Sequence, residues 1–376
     1  MGTLADLEKK VAQLFVVGVP GTTLSVQEQK TLERIGPGGY ILFKHNIESV
    51  DQVVQLNNSL LKVSDRGSWR NMPSWISVDQ EGGRVQRVRE PATLWPPAKL
   101  IGQLDSPKTA YEAGFAVASE LHALGFNVNY APVLDVPSDW NNPALGDRCF
   151  STDPEIVASM GSAFLRGVQR AGVLAVAKHF AGHGGVNVDS HLELPVCHTK
   201  LAELQEKDWV PFRRAIRARV EGVMTAHVLY TDIDAERPAT LSRRLLQDHL
   251  RKELRFGKLI FTDDLGMGAI TQKYSLEEAV FLSIEAGCDQ LLLCHNFDEL
   301  EAVWVNIVRA FESGALPKAK LDEALTRIGE AKKKWLSPVH YADAGKAKKI
   351  LGCAEHQKIA EAILLQRPLE GDIAET

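Results

Sequence analysis

Apolar and polar positions along this chain repeat one motif: a short unbroken apolar run, a polar residue at its end, then a longer stretch of helical periodicity. Eight such runs occur: QLFVVGVP from Gln13, GYILFKH from Gly39, SWISVDQEGG from Ser74, NVNYAPVLDV from Asn127, VLAVAKHFAGHG from Val173, GVMTAHVLY from Gly222, KLIFTDDLGMG from Lys258 and QLLLCHN from Gln290. Each is short enough for a strand and lacks strict alternation, as strands buried on both faces do. Helical patterns such as SPKTAYEAGFAVASELHALG, DPEIVASMGSAFLRGVQRAG, LSRRLLQDHLRKELRFG and SLEEAVFLSIEAG lie between them. Several open on Ser or Asp, which cap helix N-termini, and close on Gly, which ends helices. Eight strands alternating with helices predict an α/β fold, a single (β/α)8 TIM-type barrel with extra C-terminal helices, rather than an open sheet. The barrel is expected over about residues 10–315 and a charged helical extension over about 316–376, the whole chain 1–376 forming one domain.

The polar residues sharpen this picture. Seven of the eight runs end in groups able to do chemistry: Lys44 and His45, Asp79, Asp135, Lys178 and His179, His227, Asp263 and Asp264, and His295. In an α/β barrel those ends converge on one face, where active sites sit. A non-catalytic barrel also needs polar strand ends, but a set this complete points to a functional face.

Charge and cysteines narrow the class. A formal net charge of −5 argues against a nucleic-acid partner, which would call for a basic patch. The five cysteines, Cys149, Cys197, Cys288, Cys294 and Cys353, are widely spaced and odd in number, which fits free thiols in a reducing compartment better than a disulfide framework. The opening MGTLADLEKKVAQLFVVGVPG carries an apolar run too short for a secretory core or a membrane span, so the protein is expected to be cytoplasmic with no membrane partner.

The densest chemistry lies in KHFAGHGGVNVDSH, from Lys178 to His191. A metal site built from His179, His183, Asp189 and His191 is one reading, but Lys178 beside them would repel a cation, so no metal is expected. An acid/base pair is the second: in DSH, Asp189 could orient His191 and raise its basicity. No G-x-S-x-G elbow accompanies it, and the nucleophile would then be a carboxylate from FTDDLGMGAI, the arrangement of a retaining glycosidase. In the third reading HFAGHGG is a tight turn whose imidazoles are satisfied by backbone carbonyls.

These residues resemble a known family. KHFAGHGGVNVDSHLELP is similar to the signature of bacterial β-N-acetylglucosaminidases (β-N-acetylhexosaminidases) of glycoside hydrolase family 3, the cytoplasmic enzymes of peptidoglycan recycling. VDQEGGRVQR from Val78, YAPVLDV through NPALGDRCFSTDPEIV, and FTDDLGMGAI resemble the same enzymes, in the family's order. The resemblance implies retaining chemistry without a cofactor, on a terminal β-linked N-acetylglucosamine of a small carbohydrate or muropeptide such as GlcNAc-1,6-anhydro-MurNAc. It implies that Asp263 is the nucleophile, that His191 is the general acid and then base, and that Asp189 tunes it. Asp79, Arg87, Arg148, Lys178 and His179 would hold the terminal sugar, and Asp264 would be a structural neighbour. A monomer is expected. Trp140 with its paired asparagines, and Ala181 where a proline is commoner, depart from the family pattern and leave the leaving-group preference open. A phosphorylase or β-glucosidase of the same family, a metal-dependent hydrolase and a sugar-binding protein without turnover are the alternatives.

Overall fold

The computed structural model describes residues 3–142, 144–186 and 194–369 of the 376-residue chain. Eight parallel strands form one sheet: β1 (Phe15–Gly18), β2 (Gly39–Leu42), β3 (Trp75–Val78), β4 (Val128–Asn129), β5 (Leu174–Phe180), β6 (Gly222–Thr225), β7 (Leu259–Phe261) and β8 (Leu291–Leu293). Every residue in them is buried, which is why their sequences run apolar without alternating. Neighbours in the sheet are neighbours in the chain from β1 to β7, and β8 returns to β1 with Phe15 beside Leu291.

Closure between β7 and β8 rests on one bridge, Phe261 to Gln290, reinforced by a side chain. The Thr262 N–H donates to the Gln290 carbonyl at 2.9 Å, and Thr262 Oγ1 accepts from Leu292 N at 2.9 Å. With the last seam joined, the barrel leaves no exposed edge. The shortest strand, β4, stops early for a covalent reason. Pro132 has no N–H to donate, and the ladder resumes only as a single bridge between Val133 and Lys178.

The helix signals read from the sequence are realised. Ser106, Asp153 and Ser275 accept hydrogen bonds from the first turns of helices Pro107–Ala123, Pro154–Arg170 and Leu276–Ala286, and Gly287 ends the last of these in a left-handed conformation. The segment LSRRLLQDHLRKELRFG departs from a regular α-helix, because Arg244–Glu253 winds as a π-helix. No helix among the described residues is long and apolar enough to cross a membrane.

The extra C-terminal helices are Lys318–Trp335, Ala344–Ile350 and Ala354–Leu364. The first runs beneath the N-terminal ends of the strands. Its Lys332 is buried there, donating from Nζ to Gln13 Oε1 at 2.9 Å and the Gly38 carbonyl at 2.8 Å, and burial pushes its pKa down to about 7. Asp289, fully buried just before β8, pins the same helix to the barrel. It accepts from Arg327 Nε at 2.8 Å, from Arg251 Nη2 at 2.7 Å and from Ile260 N at 2.8 Å. Breaking a buried ion pair strands its partner charges, so Asp289→Ala is expected to lower the unfolding free energy by about 3 kcal/mol. Urea denaturation of both proteins measures the difference.

Candidate active site

Strand ends bring the site together. Asp79 follows β3, Asp135 follows β4, Lys178 and His179 lie on the last turns of β5, His227 follows β6, Asp263 follows β7, and Cys294 and His295 follow β8. Two adjoining cavities open at this C-terminal face. One, of about 290 Å³, is lined by Phe43, Asp79, Arg87, Met224, Asp263 and Cys294 among others. The other, of about 130 Å³, is lined by Glu81, Arg148, Lys178, His179 and His183. Asp79, Arg87 and Asp263 border both.

An ion network organises the second cavity. Lys178 Nζ lies 2.7 Å from Asp79 Oδ1 and 2.7 Å from Glu81 Oε1. Glu81 also receives a two-pronged contact from Arg148, Nε at 2.8 Å and Nη2 at 2.9 Å. Arg87 Nη2 stands 3.9 Å from Asp79 Oδ2, and its buried Nε has no hydrogen-bond partner among the described residues. Burial favours the neutral form of Glu81, but the Arg148 and Lys178 charges outweigh it and hold the carboxyl far below its usual range. Lys178 is likewise disfavoured as a cation by burial and restored by Asp79 and Glu81, which raise its pKa.

A second network runs through Asp135. Its carboxylate accepts from His179 Nδ1 at 2.7 Å and from the backbone N–H of His183 at 2.7 Å. A carboxylate can only accept, so the proton of a neutral His179 sits on Nδ1 and leaves Nε2 free as an acceptor. His183 is buried, which pushes its pKa down to about 4. Both of its ring nitrogens lack hydrogen-bond partners among the described residues.

The glycines around His183 serve packing. Gly182 has φ +108°, and a Cβ on it would lie 2.6 Å from the Asp208 Cβ. A Cβ on Gly184 would meet the Val136 carbonyl oxygen at 1.8 Å. Gly184 is therefore fixed by close approach, and Gly182 by close approach and by its positive φ together. Asp189 and His191 lie outside the described residues.

At the end of β7 two adjacent aspartates divide the work. Asp264 is used locally: its Oδ1 accepts from Gly266 N at 3.1 Å and Cys294 N at 3.0 Å, and its carbonyl accepts from His227 Nε2 at 2.8 Å. Asp263 accepts from Asp264 N at 2.8 Å and borders both cavities. Burial opposes its ionisation, yet His227, His179, the Asp264 N–H and Lys178 favour the charge and hold its pKa below the usual carboxylate value. The structure thus gathers Asp79, Arg87, Arg148, Lys178, His179 and Asp263 at one mouth. Glu81 and Asp135 are the functional neighbours the sequence reading left without a role. Lys44 is exposed and borders neither cavity.

A barrel with an ionised carboxylate facing polar binding groups at its C-terminal mouth is the architecture of a barrel glycosidase. Residues 6–331 match the glycosyl hydrolase family 3 N terminal domain. A beta-hexosaminidase of Nitrosomonas eutropha is 36% identical over 314 residues, 82% of this chain and 87% of that protein. One from Methylococcus capsulatus is 43% identical over 279 residues, 73% of this chain and 81% of its own. Among solved structures, a glycoside hydrolase family 3 beta-N-acetylglucosaminidase from Paenibacillus sp. str. FPU-7 superposes with TM-score 0.87 at 34% identity, covering 96% of this chain and 68% of that one. NagZ from Neisseria gonorrhoeae, solved with N-trifluoroacetyl-D-glucosamine, superposes with TM-score 0.75 at 29% identity, covering 94% and 97%. The chain belongs to glycoside hydrolase family 3.

The Glu81 geometry predicts a pH signature. A carboxyl with a lowered folded pKa stabilises the fold fully above its unfolded value and loses that stabilisation as pH falls toward the folded one. Glu81→Gln is therefore expected to cost about 2 kcal/mol at neutral pH. The gap to the unmodified protein should narrow as pH falls below the ordinary glutamate value of 4.5. Denaturant titrations between neutral and strongly acidic pH measure both slopes.

Proposed function

We propose that this protein is a retaining exo-β-N-acetylglucosaminidase that releases terminal N-acetylglucosamine, with GlcNAc-1,6-anhydro-MurNAc, with or without its peptide, as the physiological class of substrate. The observation that carries the reading is Asp263. It is an ionised carboxylate at the end of β7, bordering both cavities, while its neighbour Asp264 is committed to the turn. The names of the similar proteins, beta-hexosaminidase and beta-N-acetylglucosaminidase, supply the sugar.

In this mechanism Asp263 attacks the anomeric carbon as the bond to the leaving oxygen breaks, and His191 gives that oxygen its proton. A water then attacks the same carbon, His191 takes its proton, and the Asp263–sugar bond breaks to return the free carboxylate. Asp189 orients His191. Asp79, Lys178 and Arg87 bind hydroxyls at the inner end of the sugar, while Arg148 and His179 complete the polar wall around the ring and its acetamido group. Arg87 Nε, buried without a partner among the described residues, is hydrogen-bonding capacity of the kind a polyhydroxylated ligand fills.

Brief exposure to a slow 2-acetamido-2-deoxy-5-fluoro-glucosyl substrate, followed by intact mass and peptide mapping, should place the sugar on Asp263. No adduct on a folded protein, or an adduct elsewhere, would remove Asp263 from the mechanism. Asp263→Ala should lower turnover by on the order of 10⁴-fold or more. His191→Ala should slow glycosylation by natural disaccharides far more than by aryl glycosides, whose leaving groups need little protonation. Equal losses in that step would sink the acid role.

A further inference from the structure

The C-terminal extension lies largely beyond the matched family domain, which ends at residue 331. We propose that it acts as a brace for the loop that carries Asp79 and Arg87, with Glu120 as the positioning residue through which it acts. This rests on the reading of that loop as sugar-binding.

Glu120, on helix Pro107–Ala123, is almost wholly buried, and its carboxylate is shared between two parts of the chain. From the extension, Gly352 N donates to Oε1 at 2.8 Å and His356 Nδ1 lies 3.0 Å from the same oxygen. From the loop, Thr93 Oγ1 donates to Oε1 at 2.7 Å, Thr93 N sits 3.2 Å from both oxygens, and Trp95 Nε1 reaches Oε2 at 3.4 Å. The Trp95 and His356 rings also approach, with centroids 6.2 Å apart. Gly352 adopts φ +60° and approaches so closely that a Cβ there would lie 2.3 Å from the Pro91 carbonyl oxygen.

From Thr93 and Trp95 the contacts continue toward the site. Gln86 Oε1 accepts from Trp95 N at 3.0 Å while its Nε2 donates to the Thr93 carbonyl at 2.8 Å. Gly83 N donates to the Trp95 carbonyl at 2.8 Å. Gln80 Oε1 accepts from the backbone N–H of Arg87 at 2.9 Å and of Val88 at 3.0 Å, and Asn129 in β4 holds Gln80 N at 3.0 Å. Each link fixes backbone or an amide plane, so the route from His356 to Arg87 is a chain of positional constraints with few rotatable steps. The extension is itself clipped down further along, where Gln366 Nε2 donates to the Leu100 carbonyl at 3.1 Å and Leu369 N to Thr109 Oγ1 at 3.1 Å. A loop of this length, whose own secondary structure is only the short antiparallel pair Gln80–Gly82 with Val85–Gln86, needs such support to hold two ligand-binding side chains in place.

The test uses the full-length protein with His356→Ala, Gly352→Ala, Glu120→Gln and, as a control, Arg87→Ala. Loss of one brace contact is expected to raise KM for an aryl N-acetylglucosaminide about five-fold with kcat little changed, the fold-change of roughly one lost hydrogen bond. Amide hydrogen exchange in residues 83–95 should quicken about ten-fold while the barrel strands stay protected. His356→Asn, which keeps a nitrogen donor near the Nδ1 position, should recover both. Unchanged KM and unchanged exchange at 83–95 in His356→Ala and Gly352→Ala, whatever their melting temperatures, would overturn the brace, and these two keep the test sound should Glu120→Gln not fold. If Arg87→Ala leaves KM unchanged, the sugar-binding reading of the loop fails, and the exchange data still decide the brace on their own.

Discussion

Everything at the mouth of this barrel depends on keeping Lys178 charged in a buried position. A lone ammonium there would be driven to neutrality by desolvation. Asp79 and Glu81, each 2.7 Å away, reverse that balance. Glu81 can do so only because Arg148 grips it with two nitrogens, and Asp79 retains a second oxygen near Arg87. Three segments, the end of β5, the loop after β3 and the loop that carries Arg148, are thus tied together through Lys178 and Glu81. The loop after β3 cannot move without stripping partners from Lys178, and Lys178 is fixed by its place on the longest strand, β5.

Barrel closure makes such a network feasible. The eight strands present their C-terminal ends to one mouth, and the seam between β7 and β8, completed by Thr262, delivers Asp263 and Asp264 beside Cys294. At the opposite end Lys332 and Asp289 tie the first C-terminal helix to the strand starts. The two ends solve different problems. At the lower end the buried charges of Lys332 and Asp289 are met by protein partners, while at the upper end Arg87 Nε and the His183 ring nitrogens have no partners among the described residues. Unfilled hydrogen-bonding capacity in a buried polar site costs stability until a partner fills it.

Much of this was legible in the sequence because strand ends in a barrel obey a positional rule: Asp79, Lys178, His179 and Asp263 each follow an apolar run directly. Arg87 and Arg148 were legible only through the family resemblance, since nothing in their local pattern separates them from other surface arginines. Glu81 escaped notice because it sits in DQEGG beside the more conspicuous Asp79, and its partner Arg148 is 67 residues away. The choice of Asp263 over Asp264 came from the family resemblance, and the hydrogen bonds that commit Asp264 to the turn give it physical content. The extension around His356 carried no readable signal at all, because its importance lies in a carboxylate, Glu120, that looks like an ordinary helical glutamate.

His227 shows why a titratable residue at a strand end is not by itself a catalyst. Burial disfavours its charged form and lowers its pKa. Its Nε2 faces the Asp264 carbonyl at 2.8 Å, an atom that can only accept, so the single proton of the neutral ring must reside there. Its Nδ1 is then an acceptor, 2.7 Å from the Thr240 hydroxyl. Both nitrogens are occupied, the tautomer is set, and the ring has no proton to trade with a substrate. Its work is to hold the Asp264 backbone, and with it the orientation of Asp263. Proton transfer must come from a group with a nitrogen or oxygen to spare, and the residue that holds Asp263 in place is barred from it by its own hydrogen bonds.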